Sequence, residues 1–298
     1  MKKMNHRQKT EIFWGLLFIA PVTIGLIIFY FYPFFRVIRD SFHNIGAFDK
    51  DQGFIGLENY TTMFQDQEMW QTLGNTFKYV IIIVPLTLIL SLLVAVLLNT
   101  KIKGLSVFRV IYFLPAITMS VAVSMVWRWI YNGDYGVLNG ALSALGLATH
   151  PWLSDKSTAL LCISSVSIWT NVGYYMIILL AGIQGISKGY YEAAEIDGAS
   201  GWQKFRKITL PLLSPTIFYV VIMLVISTFQ IFGEIYMMIG PKSQAIKFTQ
   251  SVVMNFYRAA FTFSKKGYAS AIAVLLFVII MSLTVFQLKM QKKWVNYD

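Results

Sequence analysis

The sequence predicts an all-α polytopic membrane protein with six transmembrane helices, and three observations predict it. Hydrophobic residues make up 56% of the 298-residue chain and charged residues only 13%, about half the charged share of an ordinary soluble domain. Six apolar runs each reach the roughly 20 residues that carry a helix across a hydrocarbon core. None shows the two-residue alternation of a barrel strand. The net charge of +11 is spread over the ends of these runs, with no basic face interleaved with aromatics. It therefore points to anionic lipid headgroups and away from nucleic acid.

The first run, Phe13–Phe35, follows MKKMNHRQKTE. It exceeds the roughly 7–15 residues of a signal-peptide core, and no A-x-A-like site follows it. Residues 1–12 thus read as a cytoplasmic segment and 13–35 as a retained first span. Residues 36–76 form the longest piece outside the membrane, and FIGLENYTTMFQDQEMWQTLGNTF within it mixes aromatics, acids and turn residues. A packed cap and a surface for an external partner both fit that composition. Residues 77–288 hold a five-helix core with spans Phe77–Asn99, Val107–Ile130, Thr158–Ile183, Leu210–Ile239 and Tyr268–Leu288, interrupted by a polar loop at 187–209; residues 289–298 form a tail. Ala116, Ser120 and Ser124 in the third span, and Ala269 and Ala273 in the last, repeat small residues at a spacing that lets helices approach closely. Placing the N-terminus in the cytoplasm puts fourteen of the 25 Lys and Arg in the shorter inner segments, at about twice the density of the outer ones. Both termini therefore read as cytoplasmic.

Enzyme chemistry finds little to build on. Cys162 is the one cysteine, so the chain can make no internal disulfide or cysteine metal site. His6, His43 and His150 are far apart and offer no convergent ligand set, so no metal is expected. The zinc-protease and serine-nucleophile patterns H-E-x-x-H and G-x-S-x-G are absent. The nearest string to a phosphate-cradling loop, Ile239-Gly240-Pro241-Lys242-Ser243, lacks the first glycine and sets a proline before the lysine. No catalytic residue, no bound cofactor and no ATP hydrolysis by this chain are expected.

Polar groups within spans are costly and face cavities or other helices. In the fourth span Trp169, Asn171, Tyr174 and Tyr175 set aromatics and an amide within two turns. In the fifth, Ser227, Gln230 and Glu234 follow i, i+3, i+7 spacing and form one stripe on a continuous helix. Aromatic faces beside amide and carboxylate groups suit a polyhydroxylated ligand, whose ring has an apolar face and a polar edge. Interhelical packing suits the same residues, and the sequence leaves both readings open.

The stretch EAAEIDGASGWQKFRKITLPLLSP from Glu192 to Pro215 concentrates charge in a chain that has little. Ser187 is placed to cap a helix running through Glu192 and Glu195. Gly198 permits a sharp turn, and Trp202, Phe205 and Ile208 form the apolar face of a second helix. Pro211 opens the fifth span, where a proline is tolerated, and Pro215 lies further in. A plain helix connection needs only a few residues; this elbow is shaped to dock into another protein.

Glu192-Ala193-Ala194, Asp197-Gly198-Ala199 and Ile208-Thr209-Leu210-Pro211 resemble the EAA loop of binding-protein-dependent ABC importer permeases. GLENY at Gly56–Tyr60, NTF at Asn75–Phe77, RVIYFLPA at Arg109–Ala116, LAGIQGIS at Leu180–Ser187 and GYASAIAVLLF at Gly267–Phe277 are similar to the carbohydrate-importing branch. The one departure is Gly240-Pro241, where Gly-Gly-Pro is the family pattern. The resemblance implies a type I importer permease fold in a prokaryotic plasma (inner) membrane. It also implies a heterodimer with a second permease subunit, two cytoplasmic ATPases that bind ATP and Mg, and an external solute-binding protein that delivers a sugar. Glu192 is then expected to pair with a basic group on the ATPase. A permease for glycerol phosphate is an alternative in the same family. A stand-alone ion-coupled transporter using Glu234 is an alternative of another class, opposed by the docking loop and the absence of internal repeats.

Overall fold

The computed structural model describes residues 6–100 and 104–294. Lys2, Lys3, Lys101 and Lys103, which contribute to the charge asymmetry, and the end of the expected tail lie outside the described residues. In chain order, α1 (His6–Leu26) continues through a π turn (Ile27–Phe31) into α2 (Tyr32–Asp40). An antiparallel hairpin follows, β1 (His43–Ile45) and β2 (Asp51–Phe54), and then α3 (Glu58–Gln65). Next come α4 (Gln67–Leu97), α5 (Leu105–Ile117), α6 (Ser120–Ile130), α7 (Val137–Ala144) and α8 (Ala159–Gly185). The polar loop holds α9 (Lys188–Ile196) and α10 (Gly201–Lys204), and a π turn (Phe205–Thr209) leads on towards α11 (Ser214–Phe229). The chain closes with α12 (Gly233–Met238), α13 (Ile246–Thr249), α14 (Val252–Tyr257) and α15 (Lys266–Trp294).

Five stretches among the described residues are long and apolar enough to cross a membrane: Thr10–Asp40, Gln67–Leu97, Ala159–Gly185, Ser214–Met238 and Lys266–Lys292. A sixth crossing exists only as the broken pair α5 and α6, bent by 93°. The expected continuous third span is thus corrected. Pro115 cannot donate to the Ile111 carbonyl and crowds it, and Thr118 and Met119 turn extended, at ψ 142° and 119°. Ala116 and Ser120 fall on opposite sides of this bend, so the small residues make no single stripe. The fifth run is also interrupted. α11 ends at Phe229 and α12 begins at Gly233, which removes Glu234 from the expected stripe with Ser227 and Gln230. The second span starts at Gln67 rather than Phe77, because the Asp66 carboxylate caps it, accepting from the Glu68 amide at 2.8 Å.

Two compact units divide the chain: residues up to 65 with 259–275, and residues 66–258 with those from 276 onward. In the first unit, the apolar window of the opening span has no buried residue, as suits a helix bathed in lipid. The hairpin of this unit is tied down. Lys266 donates to Asp49 at 2.6 Å, and the Asn59 amide donates to the carbonyls of Ser41 and His43 at 2.9 and 3.1 Å. The hydrogen bond and charge of Lys266 hold the Asp49 carboxyl below its usual pKa. Gly267 backs onto the first strand so closely that a Cβ there would stand 2.2 Å from the His43 carbonyl oxygen.

The second unit is built around α8, which packs on α4, α5 and α11. A Cβ on Gly173 would lie 1.8 Å from the Tyr112 carbonyl oxygen, so only glycine lets α5 approach. One core gathers Tyr79, Ile163 and Ile235; another gathers Met176, Leu179 and Leu224. At the start of α4 a polar clasp joins α13 and α14. Arg258 bonds the Glu68 carboxylate and the Gln250 carbonyl oxygen, each at 2.5 Å, while the Gln250 amide donates to Glu68 at 2.8 Å and to Thr72 at 3.0 Å. Such reciprocal satisfaction is what buried polar groups need.

Candidate functional site

The elbow is assembled from local signals. The Ser187 hydroxyl accepts from the Gly189 amide, opening α9, and Gly198 at φ +71° ends it with a reversal that a side chain would strain. Ser200 and Gln203 then form a reciprocal capping box that opens α10, a feature the sequence reading missed although S-x-x-Q is its signature. Lys204 bonds Glu195 at 2.9 Å and Tyr191 shares a 3.0 Å hydrogen bond with Thr209, which fastens the two short helices together. Trp202 stacks on Phe205 at 5.5 Å yet remains 67% exposed, and Ile196 is 87% exposed. Glu192, Ala193, Asp197 and Gly198 are exposed, whereas Ala194 and Ala199 are half-buried under the turn. The Glu192 carboxylate makes no ion pair or hydrogen bond among the described residues. The elbow is therefore rigid inside and unpaired outside.

A cavity of about 310 Å³ opens at the bend between α5 and α6. Thr170, Asn171 and Tyr174 from α8, Glu234 from α12, Thr118 at the bend and Ser120 and Ser124 from α6 supply its polar lining. The Asn171 amide donates to the Ser167 carbonyl at 2.7 Å, which leaves its own carbonyl oxygen for the cavity. Glu234 is half-buried, makes no ion pair among the described residues, and sits in the first turn of α12, where the helix dipole favours a carboxylate.

Residues 68–295 match the family of binding-protein-dependent transport system inner membrane components. The chain belongs to this family. Across its whole length it is 36% identical to a probable ABC transporter permease protein, YesP, of Bacillus subtilis, covering 96% of that relative. It is 32% identical to the trehalose/maltose transport system permease protein MalF of Thermococcus litoralis, covering 92% of each chain. Its fold matches a chain of a bacterial ABC transporter involved in the import of the acidic polysaccharide alginate, with a TM-score of 0.86, 23% identity, and coverage of 98% of this chain and all of that one. It is thus a permease of the type I importer fold in an inner membrane.

In this permease only three of the expected cavity residues, Asn171, Tyr174 and Glu234, line one cavity. Tyr175 lies 3% exposed in the hydrophobic core, because it follows Tyr174 on a buried helix and turns about 100° away from it. Trp169 packs edge-on against Trp127 at 5.6 Å outside the cavity. Ser227 and Gln230 are exposed on α11 and at its end. The polar lining residues missed were Thr118, Ser120, Ser124 and Thr170. Pro115 three residues ahead of Thr118 was the available signal: a helix that loses a hydrogen bond there is ready to break and open a hollow.

Proposed function

We propose that this chain is one of two permease subunits lining the path of an ATP-driven importer of a sugar or oligosaccharide. A second, different permease subunit completes the pore, and an external solute-binding protein delivers the sugar. Two cytoplasmic ATPases bind ATP and Mg and carry out hydrolysis; this chain contributes no nucleotide chemistry. Both termini lie in the cytoplasm with the elbow.

The observation that carries the sugar reading is the lining of the cavity. It combines hydroxyls, a carboxamide, one carboxylate and the Tyr174 ring, and no lysine or arginine lines it among the described residues. Sugar hydroxyls both donate and accept, and their ring faces are apolar, so this mixture fits a neutral glycan. A phosphorylated solute calls for cationic donors, and the lone Glu234 carboxylate repels it. MalF of Thermococcus litoralis, named for trehalose and maltose transport, agrees with that class.

The elbow couples the cavity to the motor. Glu192 offers an unpaired carboxylate to a basic group on the ATPase, and Gly198 sets the angle between the two short helices. Ala193, Ala194, Asp197 and Ala199 shape the surface around them. Because the Lys204–Glu195 and Tyr191–Thr209 contacts stiffen the elbow, it moves as one piece when the ATPases close. The chain continues through helical turns from Phe205 into α11, which carries the motion towards the break at Gln230 and thence to Glu234. Uptake by vesicles holding the complete importer tests this across neutral, acidic and phosphorylated solutes. Glu234→Ala and Tyr174→Ala should each slow neutral-sugar uptake about tenfold, the equivalent of one lost buried hydrogen bond, with the external protein's own affinity unchanged. Preference for a phosphorylated solute, or normal uptake by both variants, overturns the sugar cavity.

A further inference from the structure

A second cavity, of about 280 Å³, lies on the same helices. Arg128 at the end of α6 and Met238 at the end of α12 line it, each four residues beyond a group of the first cavity, Ser124 and Glu234. Four residues of helix advance about 6 Å, so the two hollows stand end to end along shared walls. The loops that complete the second hollow follow the third and fifth crossings. These lie on the membrane face opposite to the elbow, which follows the fourth. With the elbow in the cytoplasm, as proposed above, the second cavity is the outer one.

Its far wall is built. Asn139, 2% exposed, donates to the carbonyls of Gly133 and His150 at 2.7 and 2.9 Å and accepts from the His150 amide and the Trp152 indole at 3.1 and 2.8 Å. All its hydrogen-bonding capacity goes into holding the 131–134 and 150–154 loops together, which sets Asp134 and Ser154 on the lining. Asp155 beside them accepts from the Ser157 hydroxyl and amide, which hold its carboxyl below the usual range.

The groups facing this cavity are available. Arg128 uses one nitrogen on the Met237 carbonyl at 3.3 Å, leaving the rest of its five donors. The Asp134 carboxylate and the Ser154 hydroxyl make no hydrogen bond or ion pair among the described residues. One cation and one carboxylate cancel, so the site attracts neither anion nor cation strongly, while Pro151 and Leu153 add an apolar wall. Charged donors and acceptors of both signs beside an apolar surface bind neutral polyols.

We infer that this outer cavity is a second sugar subsite, which receives the neutral glycan on the outer face before it enters the cavity at Glu234, or holds the outer unit of an oligosaccharide that spans both. The inference rests on the sugar-import reading. It is tested by thiol labelling in the complete, membrane-embedded importer with its external binding protein. Cys162 is 6% exposed and leaves a low background. Ser154→Cys reports the outer cavity and Ser120→Cys, an exposed position on the lining of the inner one, reports the inner; the sugar used is whichever of maltose, trehalose and raffinose the unsubstituted importer takes up. If sugar covers the site, labelling of Ser154→Cys slows about fivefold at four times the half-saturating concentration. Adding Arg128→Gln and Asp134→Asn abolishes that protection while protection at Ser120→Cys persists. Protection at Ser120→Cys alone overturns the outer subsite and leaves the sugar reading standing. Ser154→Cys that is inert without sugar, or protection that survives loss of both charged groups, overturns it too. Protection at neither position overturns both.

Discussion

The elbow of residues 188–209 and the clasp around Arg258 are made of the same kinds of residue and do opposite things with them. In the clasp, Glu68, Thr72, Gln250 and Arg258 use one another, and the Arg258 side chain is only 13% exposed. In the elbow, the ion pair Lys204–Glu195 binds the two helices, while Glu192, Asp197, Arg206 and Lys207 face outward without partners among the described residues. A polar cluster whose members bond chiefly to one another fastens the fold. A rigid one that leaves charges open is prepared for another surface.

Four substitutions can break or sharpen this contrast. The largest effect is expected at the open end. Glu192→Lys reverses the charge proposed to dock and Gly198→Trp places a bulky side chain at φ +71°; uptake should fall to background and ATPase co-purification should be lost, with membrane insertion intact. Normal uptake by both would reduce the elbow to a connector. Next comes Arg258→Ala, which removes a donor from the Glu68 carboxylate and from the Gln250 carbonyl oxygen. It should lower thermal stability in detergent by about 1–3 kcal/mol, a value discounted because Glu68 is 41% exposed, and leave ATPase binding unchanged. A loss of binding without a loss of stability would make the clasp functional after all. The smallest effect is Lys204→Ala. The pair it breaks has a carboxylate 64% exposed and contributes at most about 1 kcal/mol, so uptake should slow by less than tenfold. Complete loss of uptake would show that stiffness of the elbow matters as much as its free charges.

The elbow was almost wholly legible because its signals are local. Ser187 and Gly198 each act through the backbone of their own few residues, and the structure places a cap and a left-handed turn there; Pro211 lies within continuous helical turns, and Pro215 stands in the first turn of α11. The cavity was half legible. Asn171, Tyr174 and Glu234 stood out as polar groups in apolar runs, but counting along a helix grouped Tyr175 and Gln230 with them. Helix periodicity holds only while the helix does. The breaks at Thr118–Met119 and after Phe229 reset the phase, moving Ser120 and Ser124 into the hollow and separating Glu234 from Ser227.

The sequence by itself determined that this is a helical membrane chain and where it presents an unpaired polar elbow, since apolar run length and turn residues act over a few neighbours. Only the tertiary structure decided which side chains share a cavity. That depends on how α8 meets the bent pair at Gly173 and on where Asn139 ties the outer loops. Both contacts join residues distant along the chain, and no local spacing encodes the angle at which they meet.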